Sequence, residues 1–134
     1  MRRKPLQIGH QISCVGDAQM FFRACYDNAD ASKETLWVAH LDDLSRCIHL
    51  SQHHGDSASA PFPLKSILRD VLERESASLL LAHNHPSGDP RPSDSDCCAT
   101  GRLVVVADAL DCTVLDHLVF TVDDCASFRV LGLL

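Results

Sequence analysis

Residues 78–96 read SLLLAHNHPSGDPRPSDSD, and the reading of this stretch decides the fold. Ser78-Leu79-Leu80-Leu81-Ala82 is a short continuous apolar run, which suits a strand buried on both faces rather than one with a wet side. The following segment, Asn84 to Pro92, is crowded with Pro and Gly and reads as a loop. Ser93 or Asp94 then caps a helix expected to last to about Leu110. A buried strand, a loop and a helix in succession make the first half of an α/β unit.

Working outward, residues 64–72 place Leu64, Ile67, Leu68, Val71 and Leu72 at the i, i+3, i+4, i+7, i+8 positions of an amphipathic helix. Thr35 to Leu41 reads as a strand, Asp42-Asp43 as a turn, and Ser45 to Leu50 as the returning strand of a hairpin. Asp17 can cap a helix to about Asn28 with Met20, Phe21, Ala24 and Cys25 as its apolar stripe. Residues 1–16 read as an irregular lead-in, and Ser51 to Pro63, rich in Ser, Ala, Pro and His, as a loop. Thr113 to Val122 carries the β-branched residues of a last strand, and Val130 to Leu134 forms a strand-like apolar tail. The expected class is α/β: a single domain, residues 17–134, with a mixed sheet flanked by helices.

The composition agrees with that class. A chain of 134 residues, 46% hydrophobic and 22% charged, is one domain's worth of globular protein and can bury its own core. Its formal net charge of −6 has the wrong sign for strong phosphate binding, and 5% aromatic residues leave little surface for stacking bases. Arg2-Arg3-Lys4 is too short a basic run to act as a binding arm. Weak duplex DNA binding without sequence preference is expected. Neither a membrane span nor a leader peptide is legible, so the expected location is the cytoplasm. The seven cysteines show no C-x-x-C spacing and read as small apolar residues of a reducing compartment.

Chemistry concentrates at the end of the buried strand. His83 and His85 could not share one face of a regular strand, but Pro86-Ser87-Gly88 ends the strand and lets both imidazoles turn to one point. After ten further residues comes Asp96, in the first turn of the next helix. Two imidazoles and a carboxylate with a fourth position open form the ligand set of a catalytic zinc rather than a structural one. The helix dipole favours the ionised form of Asp96. A zinc deaminase would require His-x-Glu and a downstream Pro-Cys-x-x-Cys, and this chain has neither.

The run from His83 to Asp96 resembles the JAMM signature of MPN-type zinc metalloproteases: His-x-His, seven residues, Ser, two residues, Asp. Those positions are His83, His85, Ser93 and Asp96. The fuller string is similar to the RadC branch, and further likeness falls at Leu41-Asp42, Thr100, Arg102-Leu103, Leu115 to Leu118, Ser127-Phe128 and Leu131 to Leu134. The resemblance implies an MPN/JAMM fold, a layout shared with cytidine deaminases, and one zinc per chain. It implies Glu34 as general base acting on a metal-bound water, and Ser93 as hydrogen-bond donor to the oxyanion. It also implies a peptide or isopeptide substrate. The alternative is an accessory module of DNA repair whose metal is structural or vestigial. The chain departs from the branch in having no helix-hairpin-helix region, Lys33 where an Arg commonly precedes the base, Leu64-Lys65 where another Arg stands, and an unlike segment from Gln52 to Pro63. Asp116-His117 lie on opposite faces of their strand, with His117 a distant candidate to support a ligand. His53-His54 and Cys97-Cys98 read as structural.

Overall fold

The computed structural model describes residues 8–27, 29–54 and 62–134. The basic run at residues 2–4 and the middle of the Ser51–Pro63 segment lie outside them. The elements, in chain order, are α1 (Val15–Tyr26), β1 (Thr35–Leu41), β2 (Cys47–His54), α2 (Leu64–Arg74), β3 (Ser78–Asn84), α3 (Asp94–Ala109), β4 (Thr113–Phe120) and β5 (Cys125–Ser127). The strands form one mixed sheet in the order β2-β1-β3-β4-β5. Only β3 and β4 pair in parallel, and α3 is the crossover that parallel pairing requires.

Every residue of β3 is buried, because the strand is central and covered on both sides. Leu80 and Ala82 point into a core with Phe21, Phe22 and Cys25 of α1. Leu79 and Leu81 point the other way, onto Ile67 and Val71 of α2 and Leu103 and Ala107 of α3. The single apolar run thus feeds two cores, one per face. Each fully buried Leu contributes roughly 1.5–3 kcal/mol relative to exposure, so this strand anchors both layers.

Several expectations are corrected in detail. The buried stripe of α1 is Ala18, Phe21, Phe22 and Cys25, with Met20 76% exposed. Both adjacent Phe rings are driven inward because they carry the largest apolar area, which rotates the helix away from Met20 and Ala24. The helix starts at Val15, capped by Cys14, whose Sγ accepts from the Asp17 N–H at 3.4 Å. The segment before it is pinned: Ile12 is in the core, and Gln11 bridges to Arg46. β2 continues to His54 rather than ending at Leu50, since an edge strand tolerates Ser51, Gln52 and two His while its backbone pairs with β1. His53-His54 therefore stand on a strand, not in a loop. The tail from Val130 to Leu134 is a series of turns with Val130 and Leu131 exposed, and the fifth strand is Cys125–Ser127 instead. The cysteines are all free, but only Cys25, Cys47 and Cys112 are buried.

A bulge in β4 has consequences for the site. The register steps from Leu79↔Val114 to Leu80↔Asp116, skipping Leu115. Beyond it His117 lies beside Leu81, on the face covered by α2 and α3. Among the described residues no helix is long and apolar enough to cross a membrane.

Candidate metal centre

The centre lies where β3 leaves the sheet. His83 is its penultimate residue, buried and paired with Leu36 of β1 on one side and Val119 of β4 on the other. His85 is already outside the strand: its N–H donates to Phe120 O, and its Nδ1 faces Asp89 O at 2.8 Å. The turn through Gly88, at φ +87°, releases His85 from strand alternation. The two Nε2 atoms approach to 2.9 Å.

Asp96 enters from the start of α3. Ser93 and Asp96 form a reciprocal capping box, in which Ser93 Oγ accepts from Asp96 N at 3.0 Å and Asp96 Oδ2 accepts from Ser93 N at 2.9 Å. The same Oδ2 stands 3.1 Å from His85 Nε2 and 3.3 Å from His83 Nε2. Burial pushes the Asp96 carboxyl up, but the two imidazoles and the Ser93 N–H outweigh it and hold the group well below the usual carboxylate range. The Asp96 contact raises His85 above its ordinary value, with burial opposing. Glu34, just before β1, places Oε1 4.0 Å from His83 Nε2, its side chain 42% exposed. Ligand atoms of Glu34, His83 and His85 all lie within 4.8 Å of one another.

The donor set fits a small divalent cation. A tetrahedral zinc with bonds of about 2.0–2.1 Å has ligand–ligand edges of about 3.3 Å, and the triangle of His83, His85 and Asp96 has edges of 2.9, 3.1 and 3.3 Å. Two imidazole nitrogens with one anionic oxygen suit zinc better than calcium or magnesium, which take oxygen sets.

Two supporting contacts are less visible from the chain. His83 Nδ1 lies 2.7 Å from His117 Nε2, and His117 Nδ1 lies 2.7 Å from Thr100 Oγ1. Burial, then the neighbouring His83, lowers His117 well below the ordinary imidazole range, so it is neutral and carries one proton. For His83 to present a bare Nε2, its Nδ1–H must donate to His117 Nε2, and the His117 proton then donates to Thr100. His117, for which the sequence favours a structural role, is in direct contact with His83. Its ring also stacks on Phe128 at 4.6 Å.

The second contact is Asn84, missed in the reading of the motif. Its Oδ1 accepts from Thr35 N at 2.7 Å and its Nδ2 donates to Lys33 O at 2.8 Å. One amide thus grips the backbone on both sides of Glu34. A buried Asn must satisfy both ends of its amide, which was the available signal. Cys97 is half-buried and Cys98 exposed on α3.

Comparison with known proteins places the chain in a family. The family model described as RadC-like JAB domain matches residues 12–133. A UPF0758 protein of Coxiella burnetii (strain Dugway 5J108-111) is 32% identical over 133 residues, 98% of this chain and 58% of the relative. The chain thus spans a little over half the length of that relative. With the match running from Ile12 to Leu133, the chain belongs to the RadC-like JAB domain family.

Proposed function

We propose that this domain is a zinc-dependent hydrolase of amide or isopeptide bonds. The observation that carries the reading is the convergence of two imidazole nitrogens and a carboxylate oxygen within 2.9–3.3 Å. His83, His85 and Asp96 would hold one zinc ion. Zinc bound there supplies Lewis acidity and lowers the pKa of a water to about 7.

The chain's own residues do the rest. Glu34, close to the ligands yet open to solvent, takes the proton from the water and hands it to the leaving amine. Asn84 keeps that carboxylate in place by holding Lys33 and Thr35. Ser93 Oγ accepts the Asp96 N–H with a lone pair and keeps its own proton to donate to the oxygen that gains charge. The net charge of −6 favours a polypeptide over a polyphosphate backbone as substrate.

The test uses zinc-loaded protein and Glu34→Gln against a mixture of peptides and lysine-linked isopeptides, read by mass spectrometry. New amine termini are expected with the native chain and none with Glu34→Gln at equal zinc content. Identical product spectra from the two would overturn the assignment of the base.

A further inference from the structure

The loop that carries His85 has a second side. On the α1 face of the sheet, opposite the ligand nitrogens, it closes a cavity of about 340 Å³. The walls are the rings of Tyr26 and Phe120, the side chains of Ala31, Pro86 and Val122, and His85 itself. The two rings are tilted with centroids 5.3 Å apart, so they form a corner rather than a slot.

Most of the polar groups in the wall are turned to partners in the fold. Tyr26 OH donates to Thr35 O at 2.9 Å. Both ends of the Asn84 amide are used by Lys33 and Thr35. Arg23 donates to Thr121 O and Asp124 O, and its guanidinium lies 4.6 Å over the Phe120 ring. With these donors and acceptors turned inward, the cavity offers a guest mainly carbon surface. Its volume is at the low end for a ligand site, enough for one large side chain and not for a folded segment. His85 lines this cavity and also carries one of the ligand nitrogens, so the two spaces share a wall.

We infer that this cavity is a side-chain subsite: it receives a large apolar residue, such as Leu or Phe, immediately flanking the bond to be cleaved. The word cleaved rests on the hydrolase reading; the binding does not. The subsite restricts the substrate class to polypeptides with such a residue beside the scissile amide. It disfavours glycine and acidic residues at that position, since glycine leaves the cavity empty and a carboxylate would meet the Asp27 carboxyl in the wall with the Arg23 guanidinium already turned to two backbone carbonyls.

The test is a titration of the full chain, ¹⁵N-labelled and followed by amide resonances, with N-acetyl-leucinamide and N-acetyl-phenylalaninamide. N-acetyl-glycinamide and N-acetyl-glutamic acid amide serve as controls. The expected result is saturable shifts at Ala31, Gly88 and Val122, with dissociation constants on the order of a millimolar for ligands this small. The glycine and glutamate probes should bind at least about tenfold more weakly. Ala31→Trp and Val122→Trp, each on an exposed residue of the cavity wall, should abolish the shifts while leaving the rest of the spectrum and the zinc content unchanged. Equal response to the glycine probe, shifts that persist in both filled variants, or shifts elsewhere on the surface would overturn the proposal. The assay requires neither metal nor turnover, so its failure and the failure of the hydrolase reading are separate results.

Discussion

Histidines cluster at both ends of β1, on the same face of the sheet, and the two ends behave differently. At one end His83 and His85 bring their Nε2 atoms to 2.9 Å. At the other, His40 and His49 are direct cross-strand partners, their ring centroids 5.3 Å apart against 4.7 Å for His83 and His85, yet each has its own neighbour. His40 Nδ1 meets Ser76 Oγ at 2.8 Å, while His49 Nε2 faces Asp70 at 3.5 Å. Among the described residues the buried His40 Nε2 has no hydrogen-bond partner. Regular pairing holds rings side by side. Convergence needs a chain that leaves the sheet, as it does at Pro86-Ser87-Gly88. The number of histidines in a cluster therefore says less than the path of the backbone between them.

The largest effect that would sharpen this contrast is on metal content. His83→Ala, His85→Ala and Asp96→Ala should each reduce zinc from about one per chain to near zero, whereas His40→Ala and His49→Ala should keep it. Elemental analysis of the five variants decides; retention in the first three would break the comparison.

At the remote end His40 should contribute to acid stability, alongside the buried His117. Burial, reinforced by His49 and opposed by Asp70, pushes His40 down to about 4, with Arg74 and His53 also facing it. A histidine whose folded value is depressed is protonated first in the unfolded chain. Stability is therefore lost as pH falls from about 6.5 to about 4, by on the order of 3 kcal/mol. Urea denaturation at pH 7.5 and pH 4.5 should show this loss in the native chain and a flatter profile in His40→Gln. Equal slopes would mean that His40 is not the titrating group.

Next in size is the support behind the ligands. His117→Ala leaves His83 in place but removes the partner of its Nδ1, and a loss of about 10–100-fold in zinc affinity is expected. Competition with a chelator measures it. An unchanged constant would reduce His117 to packing against Phe128. The smallest effect is at the helix end: Ser93→Ala removes half of the capping box and should cost about 1 kcal/mol. Ser51→Ala, beside His53 on the edge strand, should cost much less. Denaturation midpoints compare the two directly.

How much of this was legible depended on whether the deciding contacts were local. The β3 run, the α2 periodicity and the capped start of α3 are local patterns, and all three elements appear where the spacing predicts them, although Leu72, read on the apolar face of α2, is exposed because only Ile67 and Val71 are buried against the sheet. The α1 stripe was misassigned because two interleaved sets of apolar residues compete there, and only packing against the sheet selects the one with Phe22. β2 extends through polar residues because backbone pairing, not side-chain pattern, sustains an edge strand. At the site, His83, His85 and Asp96 sit in one short segment and are readable together. Asn84 reaches Thr35 across 49 positions and His117 reaches His83 across 34. Those contacts exist only through sheet register, which a single chain of letters does not display.

The crossover between β3 and β4 also sets an order of assembly. By Ala109, the end of α3, every group proposed to touch the metal has been synthesised, and β2, β1 and β3 can already pair as a three-stranded antiparallel sheet with β1 in the middle. His117 comes later, on the strand that docks in parallel after the helix. Capture of a cation need not wait for β4, but the orientation of His83 must. Refolding followed at the ring protons of His83 should show that imidazole becoming ordered together with amide protection in β4, after the ligand loop has closed.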